Sequence, residues 1–229
     1  MRQTVLIVGA GSGLSAALAR RFASTGAQVA LAARTAGKLR ELEQQLGARA
    51  FACDAASRPA VEALFDDVAH AFGDPDVVIY NAGQRVRGPL LELDPDAVGR
   101  SLAVTAFGGF LVGQAAARRM LRRGSGTILF TGASASVKGY AQSAPFAMGK
   151  FALRGLAQSM ARELAPLGIH VAHVVIDGAI RPAGHAGDPA RPAAMLEPDA
   201  IAETYFQLAQ QPRSAWSWEI ELRPWVERF

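Results

Sequence analysis

The chain has 229 residues, 50% of them hydrophobic, a formal net charge of +4 and one cysteine, Cys53. This is enough for one well-buried core, and no linker-like stretch divides it, so a single domain over 1–229 is expected. A lone cysteine excludes an intrachain disulfide, and no apolar run is long enough to span a bilayer. The four histidines, His70, His170, His173 and His185, do not form a ligand-spaced cluster, so no metal site is expected. The N-terminus enters a strand without a signal-peptide layout, and a cytoplasmic protein is expected. Basic residues are dispersed. The densest group, Arg118, Arg119, Arg122 and Arg123, ends a predicted helix, where cations suit the dipole. Without an aromatic platform beside them, they point to anionic substrates or phosphorylated cofactors rather than to nucleic acid.

Strand-like and helix-like runs alternate from the start. Val5-Leu-Ile-Val is a continuous apolar run of the kind that forms a buried parallel strand. It feeds the turn Gly9-Ala-Gly11-Ser12-Gly13, which leads into a helix from Leu14. Gln28–Ala33 reads as a second strand. Thr35–Leu46 reads as a helix, with Leu39, Leu42 and Leu46 on one face and Thr35 as N-cap. Ala48–Cys53 is a third strand, Ser57–Phe72 an amphipathic helix, and Asp76–Tyr80 a fourth strand ending in Asn81-Ala82-Gly83. A long helix is expected over Pro95–Arg122, bent near Gly108-Gly109. Thr127–Thr131, a helix over Ala144–Leu164, Ile169–Ile176, a helix over Pro198–Gln210 and a short last strand at Glu219–Leu222 complete the series.

Such alternation predicts an α/β, doubly wound parallel sheet with helices on both faces. Ligands then lie at the carboxyl ends of the strands, here Gly9, Ala33-Arg34, Cys53-Asp54, Asn81–Gly83, Thr131–Ser134 and Asp177-Gly178. The first turn carries the strongest chemistry. Glycine lets backbone approach a phosphate without a clashing Cβ, and the next helix aims its N–H groups and positive end at it. A dinucleotide is the ligand this arrangement suits. The segment Arg181–Pro198, rich in Gly, Pro and Ala, reads as a flap over the crevice or as a surface loop.

These motifs together give a more specific reading. The chain resembles the short-chain dehydrogenase/reductase family over nearly its full length. Gly9, Gly13 and Leu14 match that family's coenzyme turn, with Gly11 and Ser12 inside it and Ser15 where a third glycine is usual. Asp54 falls where the family places an acid near the adenine. Asn81-Ala82-Gly83 matches its Asn-Ala-Gly element, with Tyr80 replacing a first Asn. Lys150 opens a stretch similar to the one after the catalytic tyrosine. Asp177-Gly178, with Ile180 just beyond, resembles the segment that closes over nicotinamide, where Pro-Gly is usual. The resemblance implies a Rossmann-like fold, an oxidoreductase and a homodimer or homotetramer built on the helices near 95–122 and 144–164.

The catalytic positions depart from that pattern. The family's Tyr-x-x-x-Lys sets a phenol one helical turn from an ammonium, which lowers the phenol's pKa and holds the nicotinamide ribose. Here the motif reads Phe146-Ala-Met-Gly-Lys150. The lysine is present, and phenylalanine has no proton to give. The family's serine position lands near Ala133, with Ser134 one residue later and Ser136 beyond. Its helix asparagine would fall at Thr105. Tyr140 is the nearest tyrosine that could supply a proton.

At the end of the second strand, an acid would chelate the ribose hydroxyls of NAD. Arg34 stands there instead and can pair with a 2′-phosphate, so NADP is the expected coenzyme. Two functions follow. One is an NADP-dependent oxidoreductase acting on a small, hydrophobic carbonyl or alcohol. The other is an NADP(H)-binding sensor or structural protein with little catalysis. Trp216, Trp218, Trp225 and Phe229 read as interface, pocket or core aromatics.

Overall fold

The apolar runs pair into one sheet. In a computed structural model, which describes residues 2–185 and 194–227, the strands are β1 (Thr4–Val8), β2 (Gln28–Ala33), β3 (Arg49–Ala52), β4 (Val77–Tyr80), β5 (Gly126–Thr131), β6 (Ile169–Ile176) and β7 (Glu219–Leu222). Their order is β3-β2-β1-β4-β5-β6-β7, and every pairing is parallel. The order reverses direction between β1 and β4, so a crevice opens where their carboxyl ends diverge.

The helices are α1 (Leu14–Ala23), α2 (Arg40–Leu46), α3 (Arg58–Phe72), α4 (Pro95–Leu102), α5 (Gly108–Leu121), α6 (Ala144–Leu164) and α7 (Pro198–Ala209). Successive strand side chains point to opposite faces, and β1 shows both. Leu6 and Val8 join one core with Leu64 and Phe65 of α3, Val112 of α5 and Leu153 of α6. Val5 and Ile7 join the other with Leu18 and Phe22 of α1 and Tyr205 of α7. Helix starts follow the local chemistry. Ser57 accepts the Ala60 N–H ahead of α3, and Asp94 accepts those of Asp96 and Ala97 ahead of α4.

Two expectations change. The helix expected over Thr35–Leu46 is a 3₁₀ turn, Ala36–Leu39, followed by α2, and Thr35 makes no side-chain cap. Gly37 weakens a continuous helix there. The long helix expected over Pro95–Arg122 is interrupted by a π-turn at Ala103–Phe107, just before Gly108. Tyr80 explains the place: its hydroxyl donates to the Val104 carbonyl, and a Cβ on Gly108 would lie 2.5 Å from that hydroxyl. The cations expected at the end of this helix are there, with Arg118 and Arg119 in the last turn of α5, and three of the four arginines also pair with acids. Arg119 bridges Asp66 and Asp74, Arg122 pairs with Asp74, and Arg123 with Asp76.

The C-terminal aromatics divide. Trp216 stacks on His170 with ring centroids 4.9 Å apart and Trp218 lies beneath Arg154, whereas Trp225 is exposed. Phe229 lies outside the described residues, as does much of the expected flap. The described ends of that segment are tied by a parallel bridge between Ile180 and Leu196. No described helix is long and apolar enough to cross a membrane, and no metal-ligating cluster occurs among the described residues.

Candidate active site

A cleft of about 460 Å³ lies at the carboxyl ends of β1, β2 and β4, lined by residues of all three and of the loops that follow. Gly9 starts it in a left-handed backbone conformation, φ +87°, where a Cβ would sit 2.3 Å from the Ala82 nitrogen. No other residue type fits both the conformation and the gap. Gly11 and Gly13 behave differently: a Cβ on either would project into open space. Beside them, Gly13 caps the start of α1 with no side-chain hydrogen bond, so the first N–H groups of that helix remain for a ligand. This cradle fits a pyrophosphate. Leu14 is buried behind it.

Ser15 braces the turn. Its hydroxyl donates to the Gly9 carbonyl at 3.0 Å and accepts the Asn81 amide at 2.7 Å. Asn81 therefore ties the β4 loop to the β1 turn, and Ala82 packs against Gly9. The sequence offers only a weak sign of this, since Ser15 reads as a missing glycine.

At the end of β2, Arg34 is exposed on the cleft, and no ion pair engages it among the described residues. Lys38, in the 3₁₀ turn that follows, lines the same cleft. The sequence reading overlooked Lys38; its spacing of four from Arg34 was the available signal. Asp54 also lines the cleft, and its carboxylate accepts the Ala56 N–H at 3.0 Å, which shapes the β3 loop. Among the described residues, then, the cleft end near β2 carries two cations and one acid.

The other end is built around Lys150. The residue is buried, 5% exposed, and its Nζ donates to the Thr131 carbonyl at 2.6 Å. Burial pushes its pKa down to about 8, because the charged form is poorly solvated there. Gly83 connects this ammonium to the cleft: a Cβ on Gly83 would lie 3.7 Å from Nζ and 3.9 Å from the Thr105 hydroxyl. Thr105 Oγ1 accepts the Gln84 N–H at 3.1 Å, and its Cβ side faces Gly149 at the turn before Lys150. Thr105 thus holds the Asn-Ala-Gly loop against α6.

Of the two serines after β5, Ser136 is fully buried. Its Oγ accepts the Ala133 N–H at 3.1 Å and lies 3.3 Å from His173 Nε2. His173 Nδ1 lies 3.0 Å from Glu219, which Arg154 grips at 2.6 and 2.7 Å. A proton on Nδ1 satisfies this chain, and burial lowers the His173 pKa to about 4, so the ring is neutral. Though the array has a nucleophile-like order, Ser136 and His173 are closed to solvent and anchor the loop. Ser134, on the same turn, is partly exposed, and its carbonyl accepts the Val137 and Lys138 N–H groups. Its hydroxyl has no partner among the described residues. Tyr140 sits farther along this loop, 46% exposed, and its hydroxyl also has no partner among the described residues. Gly178 lies beneath Pro224, which a Cβ would meet at 2.7 Å, and Ile180 follows at the bridge to Leu196.

Comparison with known proteins agrees with this fold. The family model described as short chain dehydrogenase matches residues 3–184. D-threitol dehydrogenase of Mycolicibacterium smegmatis is 33% identical over 174 residues, 74% of this chain and 67% of that protein. The crystal structure of a short-chain dehydrogenase from Rhodopseudomonas palustris is 38% identical, with TM-score 0.84, covering 97% of this chain and 99% of the other. A metagenomic short-chain oxidoreductase in complex with NADP is 31% identical, with TM-score 0.86, covering 98% of both chains. The family model spans most of the chain and the solved relatives share its fold over nearly their whole length, so the chain belongs to the short-chain dehydrogenase family, as a nicotinamide-dependent oxidoreductase.

Proposed function

We propose that the coenzyme is NADP(H) and that the substrate is a small carbonyl compound or its alcohol. The observation that carries the coenzyme choice is the pair Arg34 and Lys38 on the cleft at the end of β2, where an acid would select NAD. Two cations there suit a 2′-phosphate, and the NADP in the metagenomic relative supports the reading. Gly11, Gly13 and the α1 N-terminus hold the pyrophosphate, Asp54 lies by the adenine, and Asn81, Ala82 and Gly83 shape the crevice floor. Gly178 and Ile180 border its nicotinamide end. When bound, the coenzyme supplies or accepts a hydride.

The chain's own groups do the rest. Lys150 orients the ribose from its buried position, and Ser134 offers a free hydroxyl to the substrate oxygen. Thr105 keeps the Gly83 loop seated. With Phe146 at the tyrosine position, no phenol on α6 donates a proton; Tyr140, on the loop before α6, is the remaining exposed phenol.

The test is NADPH consumption over a panel of aldehydes, ketones and imines. Turnover supports the reading. NADPH binding without turnover on any of them favours an NADP(H)-binding sensor, a reading that Phe146 at the tyrosine position motivates. Arg34→Ala is expected to weaken NADPH about tenfold or more, the loss of a charge-assisted bond, and to leave NADH nearly unchanged. Equal losses for the two coenzymes would remove the 2′-phosphate role.

We also propose that the protein is a homodimer through α5 and α6. Phe107 and Phe110 stack on each other on the outside at 6.0 Å, and Met148 and Phe151 are exposed on α6. Exposed aromatic and apolar side chains on both helices support an interface there. Sedimentation velocity is expected to give a dimer or a dimer of dimers for the wild type and a monomer for Phe110→Glu; a monomeric wild type would sink this proposal.

A further inference from the structure

Phe146 does more than remove a phenol. Its ring has two cations near it: the Arg85 guanidinium carbon lies 5.3 Å from the ring centroid, and Lys150 Nζ lies 5.9 Å from it. Arg85 sits two residues after Gly83, on the loop that leaves the cleft. An aromatic face attracts a guanidinium through its quadrupole and leaves the donor edge of the fork able to bind elsewhere.

The neighbouring cations are already engaged. Arg87 donates to Ser143 Oγ at 3.2 Å, Lys138 pairs with Asp177, and Arg154 is held by Glu219. The buried acid at this end, Asp177, is shared by Lys138 and Arg223. Arg85 is exposed and has no carboxylate partner among the described residues. A planar fork with five donors, set over a ring one helical turn from Lys150, matches the geometry of a carboxylate.

We propose that Arg85 is a substrate-binding residue and that the substrate is an oxo acid, a carbonyl compound carrying a carboxylate. This rests on the oxidoreductase reading above and names its substrate class. Arg85 binds the carboxylate, Phe146 supports the guanidinium and faces the apolar part of the substrate, and Ser134 meets the reacting oxygen. Arginine stays charged at any ordinary pH, so it orients and attracts but does not donate the proton.

The test uses phenylpyruvate and levulinate, each beside its methyl ester, with wild type, Arg85→Met and Arg85→Lys. Two readouts are taken: NADPH oxidation and calorimetric binding to the protein–NADPH complex. The expected result is a tenfold to hundredfold preference for at least one acid over its ester in wild type. Arg85→Met removes the preference by raising KM for the acid, leaving the ester and the NADPH affinity unchanged. Arg85→Lys, a point charge without the fork, restores part of it. Acid and ester treated alike by the wild type, or a preference that survives in Arg85→Met, overturns the proposal. Acid binding that Arg85→Met abolishes, without oxidation of NADPH, upholds the anion site while the catalytic reading fails. No binding of either acid overturns the anion site itself.

Discussion

Phe146→Tyr is expected to raise carbonyl reduction about a hundredfold, within the range a positioned general acid contributes. The substitution adds one hydroxyl to a ring already next to Lys150 and Arg85. Two cations close to that phenol lower its pKa below the usual value near 10 by favouring the phenolate. Reduction needs the protonated phenol, so the gain is greatest at lower pH and fades as pH rises through the new group's pKa. The wild type lacks that limb. The measurement is kcat/KM against pH for both proteins on one substrate, with NADPH affinity as control. An unchanged rate with coenzyme binding intact would show that the reacting oxygen does not approach the edge of this ring.

Lys150→Met is expected to cut kcat/KM about a hundredfold, the scale of losing substrate or coenzyme orientation at a reacting centre. Stability is expected to move the other way. Lys150 is buried and its folded pKa lies at about 8, against about 10.4 in an unfolded chain. Below pH 8 the lysine is protonated in both states, and the folded state bears the full cost of burying the charge. Between these values the unfolded chain binds a proton that the folded one does not, so unfolding free energy rises with pH. The whole swing is on the order of 3 kcal/mol. Methionine has no charge to bury, so its variant is expected to unfold at equal or higher temperature at pH 7, with a smaller rise of stability between pH 8 and pH 10. NADPH binding should weaken above about pH 8 in wild type only, as the ammonium becomes a neutral amine with one donor fewer. A variant that unfolds earlier than wild type, or keeps its activity, contradicts a functional lysine held at a cost in stability.

Both predictions depend on contacts of differing visibility in the chain. The doubly wound sheet was legible because each strand is a short apolar run and each helix an amphipathic one. Gln28–Ala33, Ala144–Leu164, Ile169–Ile176 and Glu219–Leu222 have the same bounds in sequence and structure. The glycine cradle was legible too, since only glycine fits a left-handed turn pressed against another loop, as at Gly9. The loss of a phenol needed nothing beyond reading Phe146 four residues before Lys150.

Other features required the fold because they join residues far apart in the chain. Periodicity could not place the π-turn at Ala103–Phe107, which is set by Tyr80 reaching Val104 from another element. Ser15 looked like a departure from a glycine pattern until Asn81 reached it across 66 positions. Ser134 and Ser136 differ only by burial, and burial depends on His173 and Glu219 arriving from β6 and β7. Local pattern sets which segments become strands and helices, because backbone and side-chain periodicity act over a few residues. Which cation is paired, which hydroxyl is free and which ring lies close to both Arg85 and Lys150 are properties of long-range packing, decided by the tertiary structure alone.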